Sequence, residues 1–367
     1  MSLLEAPAFT GARLLVDLDA VAANTRTLAA STRAAVMAVV KADGFGHGAA
    51  AMARTALAAG ASSLGVTSIA EAFELRAAGI TAPILSWLNP VGADFSEAVA
   101  AGIELAVPSL AHLAAMPAGA HIHLHLDTGM ARDGAEPHAW AALCQAARQA
   151  DVQVAGVMSH LGCADSPADP ANAAALAAFE GGVAVARRAG LRPRVRHLAA
   201  TAATLTAPAT HFDLVRVGAG LAGIDPSGTV ALRGALTLKA PIVSVRRVRA
   251  GTPVGYGHTW HAPCDTSLGL LPVGYADGLP RLAGAGAQVQ VRGHRQPVAG
   301  RISMDQTVVD LGDLPVAAGE CVTVFGPGDG GEPTVADWAR WAATIPHEIV
   351  TGLGSRLSRH TVGGAEL

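Results

Sequence analysis

The sequence predicts an α/β fold in which an N-terminal (β/α)8 barrel is followed by a mostly β C-terminal domain. Up to about residue 233, short β-type runs alternate with alanine-rich helical runs, and eight such units fit there. Beyond that point the pattern changes to β-type runs separated by glycines. A length of 367 residues suits one large or two ordinary domains. We therefore expect a barrel over residues 13–232 and a β-rich domain over 233–367, which residues 1–12 join.

The predicted barrel strands are short and apolar. They lie at 35–41, 63–67, 84–88, 104–107, 121–126, 152–160, 195–198 and 214–217. Helical runs at 48–60, 69–79, 138–150 and 171–190 lie between them, and several end at glycine, a common helix-ending residue. A further run at 14–18 is expected outside the barrel or at the edge of the other domain. A doubly wound sheet is the alternative fold, but residues 44–48 lack the G-x-G-x-x-G spacing that it requires.

The C-terminal part reads as a separate β-rich domain. Its β-type runs lie at 236–248, 267–274, 289–292, 306–311 and 321–325, with one helix expected at 335–345. The sequence contains no solenoid-type repeat and no low-complexity linker.

Composition excludes several classes of protein. Hydrophobic residues make up 51% of the chain, charged residues 15%, and the net charge is −3, which disfavours a disordered tail or a nucleic-acid binder. Mean hydropathy is +0.36, but we find no apolar span of about 20 residues and no signal peptide, so no membrane partner is expected. The four cysteines are far apart and form no C-x-x-C pair, which favours a cytoplasmic location without disulfides or a zinc site. His121, His123 and His125 alternate along one strand, a spacing too wide for one ion, so we expect no metal.

Polar residues collect at the C-terminal ends of the predicted barrel strands, where barrel enzymes hold their active sites. These residues are Lys41 after the first strand, Arg132 after the fifth, His160 at the end of the sixth, Thr201 after the seventh, and Arg216 with Gly218 at the eighth. Any one of them alone would be an ordinary surface residue. As a set they predict an active site.

Lys41 has a specific chemical use at this position. It follows the apolar pair Val39 and Val40, and an amine held in apolar surroundings has a depressed pKa and can form a Schiff base. The glycine-rich backbone at 218–220 can present amides to a phosphate, and Thr201 can add a hydroxyl. A Schiff-base lysine and a phosphate site on one barrel suggest pyridoxal 5'-phosphate as the cofactor.

Six segments, in order along nearly the whole chain, resemble motifs of the alanine racemase family. They are VVKADGFGHG at 39–48, DTGMAR at 127–132, DLVRVG at 213–218, GYG at 255–257, GYADG at 274–278 and GRISMDQ at 300–306. The resemblance implies a barrel joined to a β domain, and a racemase that interconverts L-alanine and D-alanine through an external aldimine with pyridoxal phosphate. It also implies a head-to-tail homodimer in which Tyr256, Met304 and Asp305 of one subunit complete the site of the other.

The resemblance further assigns roles to individual residues. Lys41 takes the Cα proton from D-alanine, and Tyr256 takes it from L-alanine. A free tyrosine has a pKa of about 10 and is a poor base at neutral pH, so Tyr256 needs positive neighbours, which the family places at His160 and Arg216. The implied cofactor-binding residues are Lys41, Phe45, His160, Thr201, Arg216, Gly218 and Ala219. The implied substrate-binding residues are Arg132, Tyr275, Met304, Asp305 and His347.

Arg216 favours a racemase over an aminotransferase. A carboxylate beside the cofactor's ring nitrogen would promote its protonation and create a full electron sink. An arginine cannot accept a proton, so the ring withdraws fewer electrons and transamination is suppressed.

Six positions depart from the family pattern. Phe45, Ala222 and His347 each stand where a tyrosine is usual, Ala200-Thr201 replaces Asn-Ser, and His125 stands where many relatives have a carbamylated lysine. Both main bases are present, so these changes bear on substrate identity and efficiency. Two alternatives therefore stay open, namely a racemase of another small amino acid such as serine, and a pyridoxal-phosphate-binding protein without turnover.

Overall fold

The computed structural model describes residues 11–364, which divide into two units. One unit spans residues 21–232, and the other combines residues 11–20 with 233–364. The predicted barrel boundary at residue 13 differs from this division, because β1 (Arg13–Asp17) pairs with strands of the second unit. The barrel unit begins within α1 (Leu18–Ala30), a helix that the sequence pattern did not predict. Most of the predicted joining segment 1–12 lies outside the described residues, as do residues 365–367.

Eight parallel strands form the first unit, which confirms the predicted fold class. They are β2 (Ala35–Val39), β3 (Ser63–Val66), β4 (Ile84–Ser86), β5 (Ile103–Val107), β6 (Ala120–His125), β7 (Val152–Met158), β8 (Val195–His197) and β9 (Leu214–Val217). The strands pair in the order β8-β7-β6-β5-β4-β3-β2-β9. The isolated bridge between Ala200 and Arg216 lies at the seam beyond β8, so the barrel is nearly closed.

Helical segments separate the strands of this unit. They are α2 (Lys41–Gly46), α3 (Ala49–Ala58), α4 (Ile69–Ala77), α5 (Phe95–Ala100), α6 (Leu110–Ala114), α7 (Trp140–Gln149), α8 (Pro170–Arg188) and α9 (Thr201–Thr206). Local sequence explains where they begin: Ser68 and Glu71 form a reciprocal capping box at α4, and Asp169 caps α8 ahead of Pro170. Helices α5, α6 and α9 are too short for a clear helical periodicity, which is why the sequence did not predict them.

A cluster of buried side chains joins five of the barrel strands. It consists of Met37, Leu85, Ala106, Met158 and Leu214, with Trp87 and Val195 packed against it. Full burial of a large apolar side chain contributes about 1.5–3 kcal/mol to stability. This cluster therefore helps to fix the framework from which the strand ends project.

The second unit is mostly β, as predicted. Its further strands are β10 (Leu236–Pro241), β11 (Ser244–Val248), β12 (Pro253–Val254), β13 (Trp260–His261), β14 (Thr266–Leu271), β15 (Gln288–Val291), β16 (His294–Pro297), β17 (Thr307–Gly312), β18 (Cys321–Phe325) and β19 (Ser358–Val362). They form sheets of six (β16-β15-β18-β10-β1-β19), three (β11-β14-β17) and two strands (β12-β13). Strand β1 lies inside the six-stranded sheet, with Leu14 and Val16 buried.

Two sequence predictions for this unit are wrong in detail. The single run predicted at 236–248 is two strands in different sheets, because the chain leaves the first sheet after Pro241. The helix predicted at 335–345 ends earlier, as α10 (Val335–Trp341), and a second helix that the sequence did not predict follows, α11 (Pro346–Thr351). A left-handed residue, Ala343 with a φ of 53°, separates them, and Pro346 begins the second.

Within residues 11–364, no helix combines the length and apolar character needed to cross a membrane.

Candidate active site

Lys41 lies at the mouth of the barrel and opens a strained turn. Strand β2 ends at Val39, and the four residues after Lys41 have left-handed backbone angles, with φ between 51° and 60°. Such angles cost about 1–2 kcal/mol for a residue with a side chain, so the surroundings must hold them. Two carboxylates do so: Glu71 Oε1 accepts from the Ala42 amide at 2.7 Å, and Asp43 Oδ1 accepts from the Ala49 amide at 2.8 Å. The lysine is thus presented on a fixed backbone.

The surroundings of Lys41 favour its neutral amine. Burial lowers the pKa of Lys41 below its ordinary value of 10.5, the positive charge of Arg132 lowers it further, and the carboxylate of Glu71 opposes both. Arg216 also lowers it. A larger neutral fraction makes the amine a better nucleophile and base. This is the property that the sequence predicted for Lys41.

Arg216, on β9, is buried and held by acceptors from two other strand ends. Its Nη2 donates to the Ser159 carbonyl at 2.7 Å and to the Leu198 carbonyl at 3.2 Å, and its Nη1 donates to the His197 carbonyl at 3.0 Å. Burial, followed by the charge of Arg132, lowers the pKa of Arg216 to about 10, so the guanidinium is still charged at neutral pH. No ion pair within 4.0 Å joins it to a carboxylate in the part of the chain that the structure describes.

His160 is neutral in this site. Arg216 Nη2 donates to His160 Nδ1 across 3.1 Å, and a guanidinium has no acceptor, so the ring proton is on Nε2. Burial lowers the pKa of His160 to about 3, with further lowering from the charges of Arg216, Arg132 and Lys41. The expectation that His160 provides a positive neighbour for a tyrosine base is therefore wrong. The positive charge comes from Arg216, and His160 can contribute a neutral N–H donor.

Thr201 organises the loop that follows β9. Its hydroxyl oxygen accepts from the Gly218 amide at 3.3 Å and from the Gly220 amide at 3.2 Å. The hydroxyl proton remains available to another acceptor, because a hydroxyl can accept two hydrogen bonds and donate one. Phe45 packs against the same loop: a Cβ placed on Gly218 would lie 2.8 Å from Phe45 Cζ. The structure therefore brings Phe45, Thr201 and Gly218, together with Ala219, to one place.

Arg132 lies in a loop shaped by Asp127. Asp127 Oδ1 accepts from the backbone amides of Gly129, Met130 and Ala131, at 2.9, 3.0 and 3.1 Å. This turn presents Arg132 as an exposed side chain. The neighbouring Asp133 lies 3.4 Å from Nδ1 of buried His125, so His125 pairs with this carboxylate.

The remaining predicted residues lie in the second unit, mostly on exposed loops. Tyr256, Tyr275 and Met304 are 66%, 40% and 53% exposed. Two of these loops are joined by backbone hydrogen bonds, since the Tyr275 amide donates to the Ser303 carbonyl at 3.0 Å. Tyr256 opens a 3-10 turn in a third loop, and His347 lies in the first turn of α11.

An arginine fixes two of these loops. Arg356 Nη1 donates to Asp305 at 2.6 Å, and its Nε lies 3.1 Å from Asp277 Oδ1. The other oxygen of Asp277 accepts from the Gly274 amide at 2.9 Å, beside Tyr275. Tyr275, Met304 and Asp305 are thus brought together within this unit.

Sequence reasoning missed several residues of the site. Glu71 had a visible signal, the Ser68-to-Glu71 capping box directly after β3. Asp133, next to Arg132, had none. His197, at the end of β8, is fully buried and forms hydrogen bonds through both ring nitrogens. Within residues 11–364, no group of three or more side chains could hold a metal ion.

The chain combines an eight-stranded parallel barrel, a lysine of lowered pKa at the mouth of that barrel, and a β-rich unit. These features define the class of the protein as a lysine-dependent barrel enzyme. Comparisons with known proteins identify the family. Residues 16–226 match the profile of "Alanine racemase, N-terminal domain", and residues 235–361 match that of "Alanine racemase, C-terminal domain". The chain belongs to the alanine racemase family.

Individual relatives agree over nearly the whole length. An alanine racemase of Thermobifida fusca is 47% identical over 363 residues, covering 95% of this chain and 97% of its own. The crystal structure of alanine racemase from D-cycloserine-producing Streptomyces lavendulae superposes with a TM-score of 0.93 at 43% identity, covering 99% of each chain. That of Bartonella henselae, solved with covalently bound pyridoxal phosphate, has a TM-score of 0.87 at 28% identity and covers 96% of this chain and all of its own.

Proposed function

We propose that the protein is a pyridoxal-phosphate-dependent alanine racemase that interconverts L-alanine and D-alanine. One observation carries this proposal: Lys41, with a lowered pKa, opens a fixed turn at the mouth of a barrel in which Arg216 and neutral His160 are hydrogen-bonded. The family membership and the relatives named as alanine racemases support the same reaction.

The residues present fit pyridoxal phosphate. Lys41 would hold the cofactor covalently through its amine, and the hydroxyl proton of Thr201 with the Ala219 amide, on the loop that begins at Gly218, would hold its phosphate. Arg216 would donate to its ring nitrogen. When bound, the cofactor supplies an electron sink that acidifies the substrate's Cα–H bond. The fit rests on this chain's own features, namely the depressed lysine pKa, the buried guanidinium and the loop organised by Thr201.

Racemisation needs a proton to leave one face of Cα and return on the other, so two bases are required. We assign Lys41 to one face and Tyr256 of the partner subunit to the other, in a homodimer with shared sites. Tyr256 lies on an exposed loop of its own unit, which is compatible with a role in a neighbouring subunit. Arg216, acting through the Nε2–H of His160, would favour the ionised tyrosine. Arg132 would hold a substrate or cofactor oxygen, and Tyr275, Met304, Asp305 and His347 would line the substrate side.

Arg216 also limits side reactions. Its guanidinium is charged at neutral pH, and with a pKa of about 10 it can donate a hydrogen bond to the ring nitrogen but is too weak an acid to transfer the proton. Arg216 would therefore leave the bound cofactor a weaker electron sink than a carboxylate at this position would. This favours rapid return of a proton to Cα over transfer of the amino group.

The proposal is tested with purified protein supplied with pyridoxal phosphate. Circular dichroism would follow the loss of ellipticity of L-alanine and, separately, of L-serine, with Lys41→Ala as the inactive reference. We expect L-alanine to racemise faster than L-serine, and Lys41→Ala to racemise neither. Faster turnover of L-serine would identify a racemase of another small amino acid. Cofactor binding without turnover of either would contradict the proposal and indicate a non-catalytic cofactor-binding protein.

A further inference from the structure

A line of hydrogen-bonded side chains runs from Arg216 to a half-exposed carboxylate. Arg216 Nη1 lies 3.1 Å from His197 Nδ1, and His197 Nε2 lies 2.8 Å from His123 Nδ1. His123 Nε2 lies 2.8 Å from Glu104 Oε2. We call these four residues the Arg216 relay. They come from strands β9, β8, β6 and β5.

The donors and acceptors in the relay can be ordered in only one way. A guanidinium can only donate, so His197 Nδ1 accepts and the proton of that neutral ring is on Nε2. His197 Nε2 then donates to His123 Nδ1, which places the proton of His123 on its own Nε2. That proton is donated to the carboxylate of Glu104. Every member of the relay therefore has a defined proton position, set by a cation at one end and an anion at the other.

A glycine lets the two histidines meet. Strand β7 lies between β6 and β8, and a register shift after Ile122 places Gly156 opposite His123. A Cβ on Gly156 would overlap with Nδ1 of His123 and lie 2.6 Å from its Cε1. The two rings cross edge to face at 79°, with centroids 5.0 Å apart, in the space that this glycine leaves.

Burial of the two histidines makes the hydrogen bonds of the relay costly to break. His123 and His197 are 2% and 0% exposed, so neither ring can exchange its partner for water. Burial lowers the pKa of His197 well below 6.5, helped by the neighbouring His123 and Arg216, which agrees with a neutral ring. The hydrogen bond from His123 lowers the pKa of Glu104, which agrees with an ionised end group.

We propose that Glu104 and His123 are positioning residues that act through His197 on Arg216. By fixing the His197 tautomer, they keep an acceptor, rather than a second N–H donor, facing the guanidinium. This holds the guanidinium in the orientation that the proposed function requires, and in that respect the inference rests on the proposed function. Neither residue touches the reacting atoms.

The test combines a spectroscopic and a kinetic measurement on the full-length protein. The histidines are labelled with 15N, and long-range 1H–15N correlations report which ring nitrogen carries the proton, with signals assigned by single His→Gln variants. We expect His123 and His197 both to carry it on Nε2. In Glu104→Leu, which removes the final acceptor, we expect the His123 signal to lose its single tautomer and kcat for L-alanine to fall about tenfold, with KM within about twofold.

Two further variants make the outcome decisive. Glu104→Gln keeps an acceptor oxygen without the charge. His123 and His197 should therefore each keep their proton on Nε2, and kcat should stay within about threefold of the wild-type value. Glu180→Gln makes the same chemical change on the exposed face of α8 and should alter nothing. The opposite tautomer or a mixture in the wild type would overturn the inference even if Glu104→Leu fails to fold. So would unchanged signals and kcat in Glu104→Leu. A wild type with the expected tautomers but no racemisation would overturn the proposed function instead.

Discussion

Nη2 of Arg216 donates a hydrogen bond to Nδ1 of His160 across 3.1 Å. This one contact fixes two properties of the candidate site. It assigns the proton of His160 to Nε2, and it places a positive charge directly against the imidazole, which keeps the ring neutral. A neutral histidine that is hydrogen-bonded to a buried arginine can transmit the effect of the arginine's charge without carrying a charge of its own.

The neutral state of His160 predicts a pH dependence of stability. The pKa of His160 is lowered from 6.5 to about 3, so between these values the unfolded chain binds a proton that the folded chain does not. Stability therefore falls as the pH drops through this window, by up to about 1.4 kcal/mol per pH unit for this residue. His160→Asn keeps an acceptor oxygen for Arg216 and should remove this contribution. Urea unfolding between about pH 4.5 and 7 should show a shallower loss of stability in the variant.

The matched control for that experiment is His294→Asn, which changes an exposed histidine of β16. It should follow the wild-type pH dependence. If His160→Asn and the wild type lose stability equally on acidification, then His160 titrates normally and the site is less positive than the structure implies.

Phe45 predicts loose retention of the cofactor. A tyrosine here could donate to a phosphate, a hydrogen bond to a charged group worth about 1.5–3 kcal/mol, and Phe45 cannot. Since its ring already packs against Gly218, Phe45→Tyr should slow cofactor dissociation by about tenfold or more without changing the pH profile of catalysis. Absorbance under competition with a carbonyl trap would measure the dissociation rate. Phe212→Tyr, beside Arg196, makes the same change elsewhere and should have no effect. Equal dissociation rates for Phe45→Tyr and the wild type would show that the phosphate already has its full set of hydrogen bonds without a tyrosine hydroxyl.

Gly156 predicts a steric requirement in β7. Gly156→Ala would force its methyl group into the ring of His123, and overpacking of this kind costs about 1–3 kcal/mol. We expect a lower free energy of unfolding and loss of the hydrogen bond between His123 and His197. Gly181→Ala is the control, because space at this helical glycine of α8 is open, and it should stabilise by about 0.5–1 kcal/mol. Equal stability of Gly156→Ala and the wild type would mean that His123 can move aside freely.

The proposed sharing of active sites between subunits predicts complementation between two inactive proteins. Random exchange between Lys41→Ala and Tyr256→Phe chains makes half of the dimers mixed, and each mixed dimer has one intact site. Activity should therefore recover to about a quarter of the wild-type level. Mixing Lys41→Ala with a chain that has both substitutions creates no intact site and should recover nothing. Absence of recovery despite demonstrated exchange would place Tyr256 in the site of its own chain.

The architecture and the positions of the main polar residues could be predicted from the sequence. Lys41, Thr201 and Arg216 follow or end apolar strands, and parallel barrel strands bring their carboxyl ends to one rim. The alternation of β-type and helical runs located all eight barrel strands to within a few residues. Their roles toward cofactor and substrate remain predictions.

Features that depend on contacts between residues distant in the sequence could not be predicted from the sequence. The left-handed turn after Lys41 includes Ala42 and Phe45, residues that give no local signal for such angles. His123 and Glu104 reach Arg216 only because Gly156 leaves space across an intervening strand. The charge state of His160 was predicted wrongly because it depends on the burial and on the surrounding cations, which no motif encodes.

The central claim, two bases on opposite faces with Lys41 serving D-alanine and Tyr256 serving L-alanine, is tested most directly by isotope exchange in the Tyr256→Phe variant. The variant is incubated in deuterated water with each enantiomer separately, and proton NMR follows loss of the Cα–H signal. The wild type should exchange both enantiomers. In the variant, Lys41 can still remove and return the proton of D-alanine, so D-alanine should exchange without racemising while L-alanine keeps its Cα–H. Exchange of L-alanine by the variant at the wild-type rate would contradict the assignment of Tyr256 as the second base.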